Sequence, residues 1–165
     1  MIKEVSGDIL LTDSKTIAHC VAPMDHFDSG LALSLRENYP AMVKGFRNYC
    51  HTHHPKPGEI WTWSGVGGVR IVNLMAQEPA PSESYKGHPG KASLGNLEKT
   101  LKNLVKFIEK EKPQSIAIPK LATGVGGLDW EDVRQSIYRY LDSVEIPVFV
   151  YTTYTKGMKA REELQ

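Results

Sequence analysis

The chain has 165 residues, the length of one domain, and a domain of that size buries about 70% of its unfolded surface without needing disulfides or a structural metal. Hydrophobic residues make up 41% and charged residues 24%, and Lys+Arg 20 against Asp+Glu 19 leave a net charge of +1. That balance argues against a dedicated nucleic-acid binder, and the absence of a long apolar stretch argues against a membrane span.

A β-rich run at Ile2–Ser6 opens the chain and leads into Gly7-Asp8-Ile9-Leu10. A second run, Thr16–Ala22, contains Cys20, which reads as a buried reduced thiol; Cys20 and Cys50 are too few for a disulfide framework. His19 in the same run reads as a buried, satisfied histidine rather than a catalyst. The loop Ala22–Gly30 then opens a helix. Its small residues Asp28-Ser29-Gly30 leave backbone N–H groups at a helix start, a place where an anion is held. His26 and Asp28 read either as an acid–base pair or as a solvated polar loop.

Leu31–Glu37 and Ala41–Tyr49 are expected as two shorter helices separated at Pro40. Cys50-His51-Thr52-His53-His54 has metal-ligand residue types without a second cluster at complementary spacing, so no metal is assigned. Strands are expected at Glu59–Ser64 and Val69–Met75. Trp61 and Trp63 share one strand face and are expected to pack under a helix. Gln77 follows the second of these strands, and the loop 78–91 is rich in Pro, Gly and Ser. That loop carries Lys86, His88 and Lys91 and is a candidate to fold over a ligand and bring an amine to it.

Leu97, Leu101, Leu104, Val105 and Ile108 form one helical face, and Pro113 ends that helix. The apolar run Ser115–Pro119 reads as a central buried strand. It feeds Lys120-Leu121-Ala122-Thr123-Gly124-Val125-Gly126-Gly127, a glycine-rich turn that precedes a helix capped by Asp129 and faced by Trp130, Val133, Ile137, Tyr138 and Leu141. This turn is neither a Walker A loop nor a dinucleotide fingerprint; it reads as a diphosphate cradle or as an empty strand-to-helix turn. Pro147–Tyr151 is the last expected strand. The charged tail is expected to be frayed or helical.

In order and spacing these segments resemble the macro domain family. The resemblance rests on Val5-Ser6-Gly7-Asp8-Ile9-Leu10, Ile17-Ala18-His19-Cys20, the loop Lys120–Gly127 and Val148-Phe149-Val150-Tyr151. The Ala-His-Cys and Gly-Gly-Leu-Asp-Trp segments are most similar to the branch that contains terminal ADP-ribose protein glycohydrolases and antitoxin macro domains acting on DNA. The fold this implies is a three-layer α/β/α domain over 1–155 with a mixed, mostly six-stranded sheet, followed by the tail 156–165.

The implied ligand is ADP-ribose, free or attached to a macromolecule, with protein favoured over DNA because the composition is near neutral. By the same resemblance Asp8 and Ile9 would contact adenine and Tyr151 would line its pocket, unless Tyr151 is ordinary core. His19, Asp28, Ser29, Gly30 and Leu31 would approach the ligand from one side, with Gln77 beside them. Thr123, Gly124, Val125, Gly126 and Gly127 would cover it from the other. Where the branch carries a nucleophilic Lys and a loop Asp, this chain has Gln77 and Gly126. De-ADP-ribosylation without a cofactor, with Asp28 and His26 as candidate catalytic groups, is the expected activity; a reader that binds without turnover is the alternative. A cytoplasmic monomer is expected.

Overall fold

The computed structural model describes residues 1–80 and 89–163. Six strands build one sheet: β1 (Ile2–Gly7), β2 (Thr16–Cys20), β3 (Ile60–Ser64), β4 (Arg70–Leu74), β5 (Ile116–Pro119) and β6 (Val148–Tyr154). Their order is β1-β6-β5-β2-β4-β3; β3 runs antiparallel to β4 and the other pairings are parallel. The helices are α1 (Gly30–Asn38), α2 (Pro40–His53), α3 (Leu94–Glu111) and α4 (Trp130–Leu141). The layering is the α/β/α sandwich anticipated from the alternation of strands and helices.

Strand alternation divides the core into two layers. Ile17, Ile71, Ala117, Phe149 and Tyr151 face α1 and α2, while Ala18, Val72, Leu74, Ile116, Ile118, Val148 and Val150 face α3 and α4. α3 delivers the expected stripe of Leu97, Leu101, Leu104 and Ile108, and the Ser93 side chain caps it by accepting from Asn96 N–H. Asp129 caps α4 through Glu131 N–H, with Glu131 and Asp132 complementing the helix dipole. Pro40 begins α2 instead of merely breaking a helix: at the first position its missing N–H has no partner to lose. α2 consequently runs through the histidine-rich stretch to His53. Trp61 lies under it, with ring centroids 5.9 Å from Phe46 and 5.6 Å from Tyr49.

The tail differs from expectation. Residues 155–163 contain neither a helix nor a free end. Asp8 N–H donates to the Met158 carbonyl (2.7 Å), Gly157 N–H to Asp8 Oδ2 (2.9 Å), and Ala160 is buried against Gly7. Glu162 accepts from the Thr12 hydroxyl (2.6 Å), Asp13 N–H (3.0 Å) and the Tyr151 hydroxyl. The strap covers the part of the sheet that α1 and α2 do not reach. Among the described residues no helix is long and apolar enough to cross a membrane.

Candidate functional site

The parallel strands end together along one edge, and the loops leaving β2 and β5 face each other there across a cleft of about 470 Å³. In an open α/β sheet this edge is where ligands are held. A larger hollow of about 690 Å³ at the opposite edge is walled by the tail strap and has no contact with either loop.

One lip of the cleft is the start of α1. Ser29 occupies the cap position yet makes no side-chain cap bond, and among the described residues the first-turn amides of Gly30, Leu31 and Ala32, beside the cleft, donate to no backbone carbonyl. The other lip is the glycine loop. Leu128 N–H closes it onto the Ala122 carbonyl (3.0 Å), and Gly127 N–H bonds the Gly124 carbonyl (3.1 Å). Among the described residues, the N–H groups of Thr123, Gly124, Val125 and Gly126 donate to no backbone carbonyl. Gly126 is required for that closure: a Cβ there would sit 2.6 Å from the Ala122 oxygen. Two sets of unpaired amides therefore converge on one space, a geometry that binds an anion.

The loop after β2 is held from inside. Asp25, buried to 6% exposure, accepts from Ala22 N–H (2.9 Å) through one oxygen and from Phe27 N–H (2.8 Å) through the other. Burial pushes its carboxyl above the usual carboxylate range. Phe27, in the left-handed region at φ 58°, drives its ring fully into the core, with centroids 5.4 Å from Phe46 and 5.7 Å from His19. His19 borders the cleft but bonds Asn73 Oδ1 through Nε2 at 2.7 Å; burial lowers its pKa to about 4, so the imidazole is neutral. Burial likewise pushes the Cys20 thiol up to about 12, with the Ala122 N–H pulling weakly the other way.

Two of the anticipated groupings are not assembled. Asp28 borders the cleft, but its carboxylate pairs with Arg36 (3.2 Å), and the same guanidinium nitrogen reaches the His26 carbonyl (3.2 Å). His26 is not part of the cleft wall, and Phe27 between the two is in the left-handed region with its ring in the core. Asp8, Ile9 and Tyr151 also lie outside the cleft, at the β1–β6 end of the same edge. Asp8 accepts from Leu10 N–H (3.0 Å) and Gly157 N–H; Ile9 is core; Tyr151 is core as well, its hydroxyl tied to Glu162. Thr123 and Gly127 shape the loop without facing the cleft, Thr123 through a hydroxyl bond to the Lys120 carbonyl (2.9 Å). His19, Asp28, Ser29, Gly30, Leu31, Gln77, Gly124, Val125 and Gly126 are brought together around it.

Residues 27–137 of the chain match a family model described as "Macro domain". The chain belongs to the macro domain family. The DNA ADP-ribosyl glycohydrolase of Mycobacterium tuberculosis is 27% identical over 171 residues, which take in 100% of this macro domain and 46% of the relative. The macro domain thus spans somewhat less than half the length of that protein. The human ADP-ribose glycohydrolase OARD1 is 21% identical over 154 residues, 92% of this chain and 91% of that one. Among solved structures, the macrodomain of Thermus aquaticus DarG superposes with a TM-score of 0.79 at 25% identity, covering 92% of this chain and 98% of that chain.

In this macro domain Gln77 is buried to 5% exposure and donates from Nε2 to the Gly90 carbonyl (3.1 Å). Lys86 and His88 lie outside the described residues. Asp25 and Lys120 are the charged cleft residues that sequence reasoning missed. Lys120 directs its ammonium over the Trp130 ring, 5.8 Å from the centroid. Asp25 had a faint signal, an Asp two residues before a large apolar residue within a loop, the pattern of an Asx turn that plugs a core.

Proposed function

We propose that the cleft binds ADP-ribose, with the diphosphate between the α1 amides and the Gly124–Gly126 amides. The observation that carries this reading is the convergence of those unpaired N–H groups from two loops. From there an adenosine would extend along the sheet edge across the ends of β5 and β6 to Asp8, about 10 Å away at two strand spacings. The apolar side chains of Leu11, Tyr154 and Met158, each more than two-fifths exposed, belong to segments bonded to Gly7 and Asp8 and supply a surface for a purine. In this reading Tyr154 takes the part expected of Tyr151.

The activity we favour is hydrolytic removal of ADP-ribose from a macromolecule. The names of the relatives support it, as does Asp28, a carboxylate at the lip of the anion site. Water would attack the anomeric carbon of the distal ribose as the bond to the acceptor breaks, the new hydroxyl staying on ADP-ribose and the water's other proton passing to the acceptor. Gln77 and Gly126, standing where the branch carries its Lys and Asp, favour the second reading, a reader without turnover. Incubation with ADP-ribosylated DNA and, separately, ADP-ribosylated protein tests both. Release of free ADP-ribose supports the hydrolase and identifies its carrier; tight binding with no release from either supports the reader.

A further inference from the structure

Gln77 sits in the middle of a hydrogen-bonded chain that joins the roots of the two cleft loops. Its backbone N–H donates to the Val21 carbonyl (3.2 Å), where the first loop leaves β2. Its side chain donates to the Gly90 carbonyl (3.1 Å), and its backbone forms an antiparallel bridge with Ala92. Glu78 N–H to the Lys91 carbonyl (3.0 Å) and Gly90 N–H to the Glu78 carbonyl (2.8 Å) tighten the same turn. Ala92 N–H then donates to the Gly126 carbonyl (2.9 Å), inside the glycine loop.

We propose that Gln77 is a positioning residue: it holds Gly90–Ala92 in place so that Ala92 fixes the Gly126–Gly127 peptide and keeps the Gly124–Gly126 amides at the cleft. The proposal rests on the ADP-ribose reading of that cleft. The physical case is that the Gly126–Gly127 peptide is held at both ends, its oxygen by Ala92 N–H (2.9 Å) and its N–H by the Gly124 carbonyl (3.1 Å), at a residue that tolerates no Cβ against Ala122. A peptide pinned at its oxygen and its N–H cannot flip, so the loop keeps the closed shape in which, among the described residues, the Gly124, Val125 and Gly126 N–H groups donate to no backbone carbonyl. A buried carboxamide is well suited to the task, because it satisfies a half-buried carbonyl without bringing a charge next to an anion site.

The test uses Gln77→Met, which keeps the length and loses the donor, Gln77→Glu, which sets an acceptor against the Gly90 carbonyl, and Ala92→Pro, which removes the N–H at the far end. Amide hydrogen exchange at Ala92 and ADP-ribose titration are both read. The expected result is faster exchange at Ala92 in Gln77→Met and Gln77→Glu, ADP-ribose affinity weaker by about tenfold, and no further loss when Gln77→Met is added to Ala92→Pro. Weaker binding with unchanged exchange at Ala92, or full additivity with Ala92→Pro, would show direct contact with the ligand and overturn the proposal; so would unchanged binding and exchange. If the unsubstituted protein fails to bind ADP-ribose, the functional reading falls, while faster or unchanged exchange at Ala92 in Gln77→Met still decides whether Gln77 holds the loop.

Discussion

His19 and Asn73 are direct register partners on β2 and β4, and their side chains share a 2.7 Å hydrogen bond in the floor of the cleft. Asn73 Nδ2 in turn donates to the Trp61 carbonyl (3.3 Å) on β3, so the bond ties the central strand to the sheet margin. Each partner is satisfied by the other, which explains how a histidine and an asparagine survive at 2% and 0% exposure.

The burial of His19, which outweighs the opposing effect of its bond to Asn73, makes stability pH-dependent. The folded pKa of His19 is lowered to about 4 from an ordinary 6.5, so between those values the unfolded chain takes up the extra proton. The contribution is complete above pH 6.5 and is lost as pH falls toward 4, by up to about 3 kcal/mol. In His19→Gln, which keeps an N–H donor for Asn73, the decline between pH 6.5 and 4 should be shallower. Urea unfolding of both proteins across that window is the check, and equal slopes would contradict it.

Gly126 and Gly124 should separate folding from binding. A Cβ at Gly126 collides with the Ala122 backbone, whereas a Cβ at Gly124 has nothing within 4 Å. Gly126→Ala should lose about 1–3 kcal/mol of stability and much of its ADP-ribose affinity. Gly124→Glu should melt like the unsubstituted protein and bind no ADP-ribose, because its carboxylate enters the anion site. Thermal melts beside titrations read both.

The strap should be a structural part of the domain. Glu162→Ala strands the hydroxyl of Tyr151, buried to 5% exposure, with a cost of about 1–3 kcal/mol by urea unfolding. Tyr151→Phe should make the loss from Glu162→Ala smaller, since the two share one interaction. Additive losses would mean the bond carries little.

Asp28 is tied to Arg36 by a half-exposed pair, so Asp28→Asn should change stability by less than about 1 kcal/mol. On the hydrolase reading it retains ADP-ribose binding but lowers release by at least about a hundredfold. Unchanged release would remove Asp28 from the chemistry.

The legible parts of the sequence were those where one residue type has one local consequence. The Leu97–Ile108 stripe, Asp129 as a cap and the glycines between β5 and α4 each report their own backbone environment. The illegible parts depend on partners far along the chain. Nothing in Lys156–Glu163 says that an alanine and a glutamate will dock on Gly7, Thr12 and Tyr151, since the tail buries almost no large apolar residue. His26 and Asp28 look like a pair by proximity, but the left-handed turn at Phe27 and the reach of Arg36 decide otherwise. Gln77 lines the cleft as expected of a ligand contact, but its bond to Gly90 and its bridge to Ala92 depend on residues beyond the loop and are not legible from its position after β4.

The most direct test is calorimetric titration of the protein with ADP-ribose, with Gly124→Glu as the control. Saturable one-to-one binding in the micromolar range, abolished by Gly124→Glu at unchanged melting temperature, is the predicted result. No heat of binding with the unsubstituted protein, or equal binding by Gly124→Glu, would contradict the cleft as an ADP-ribose site.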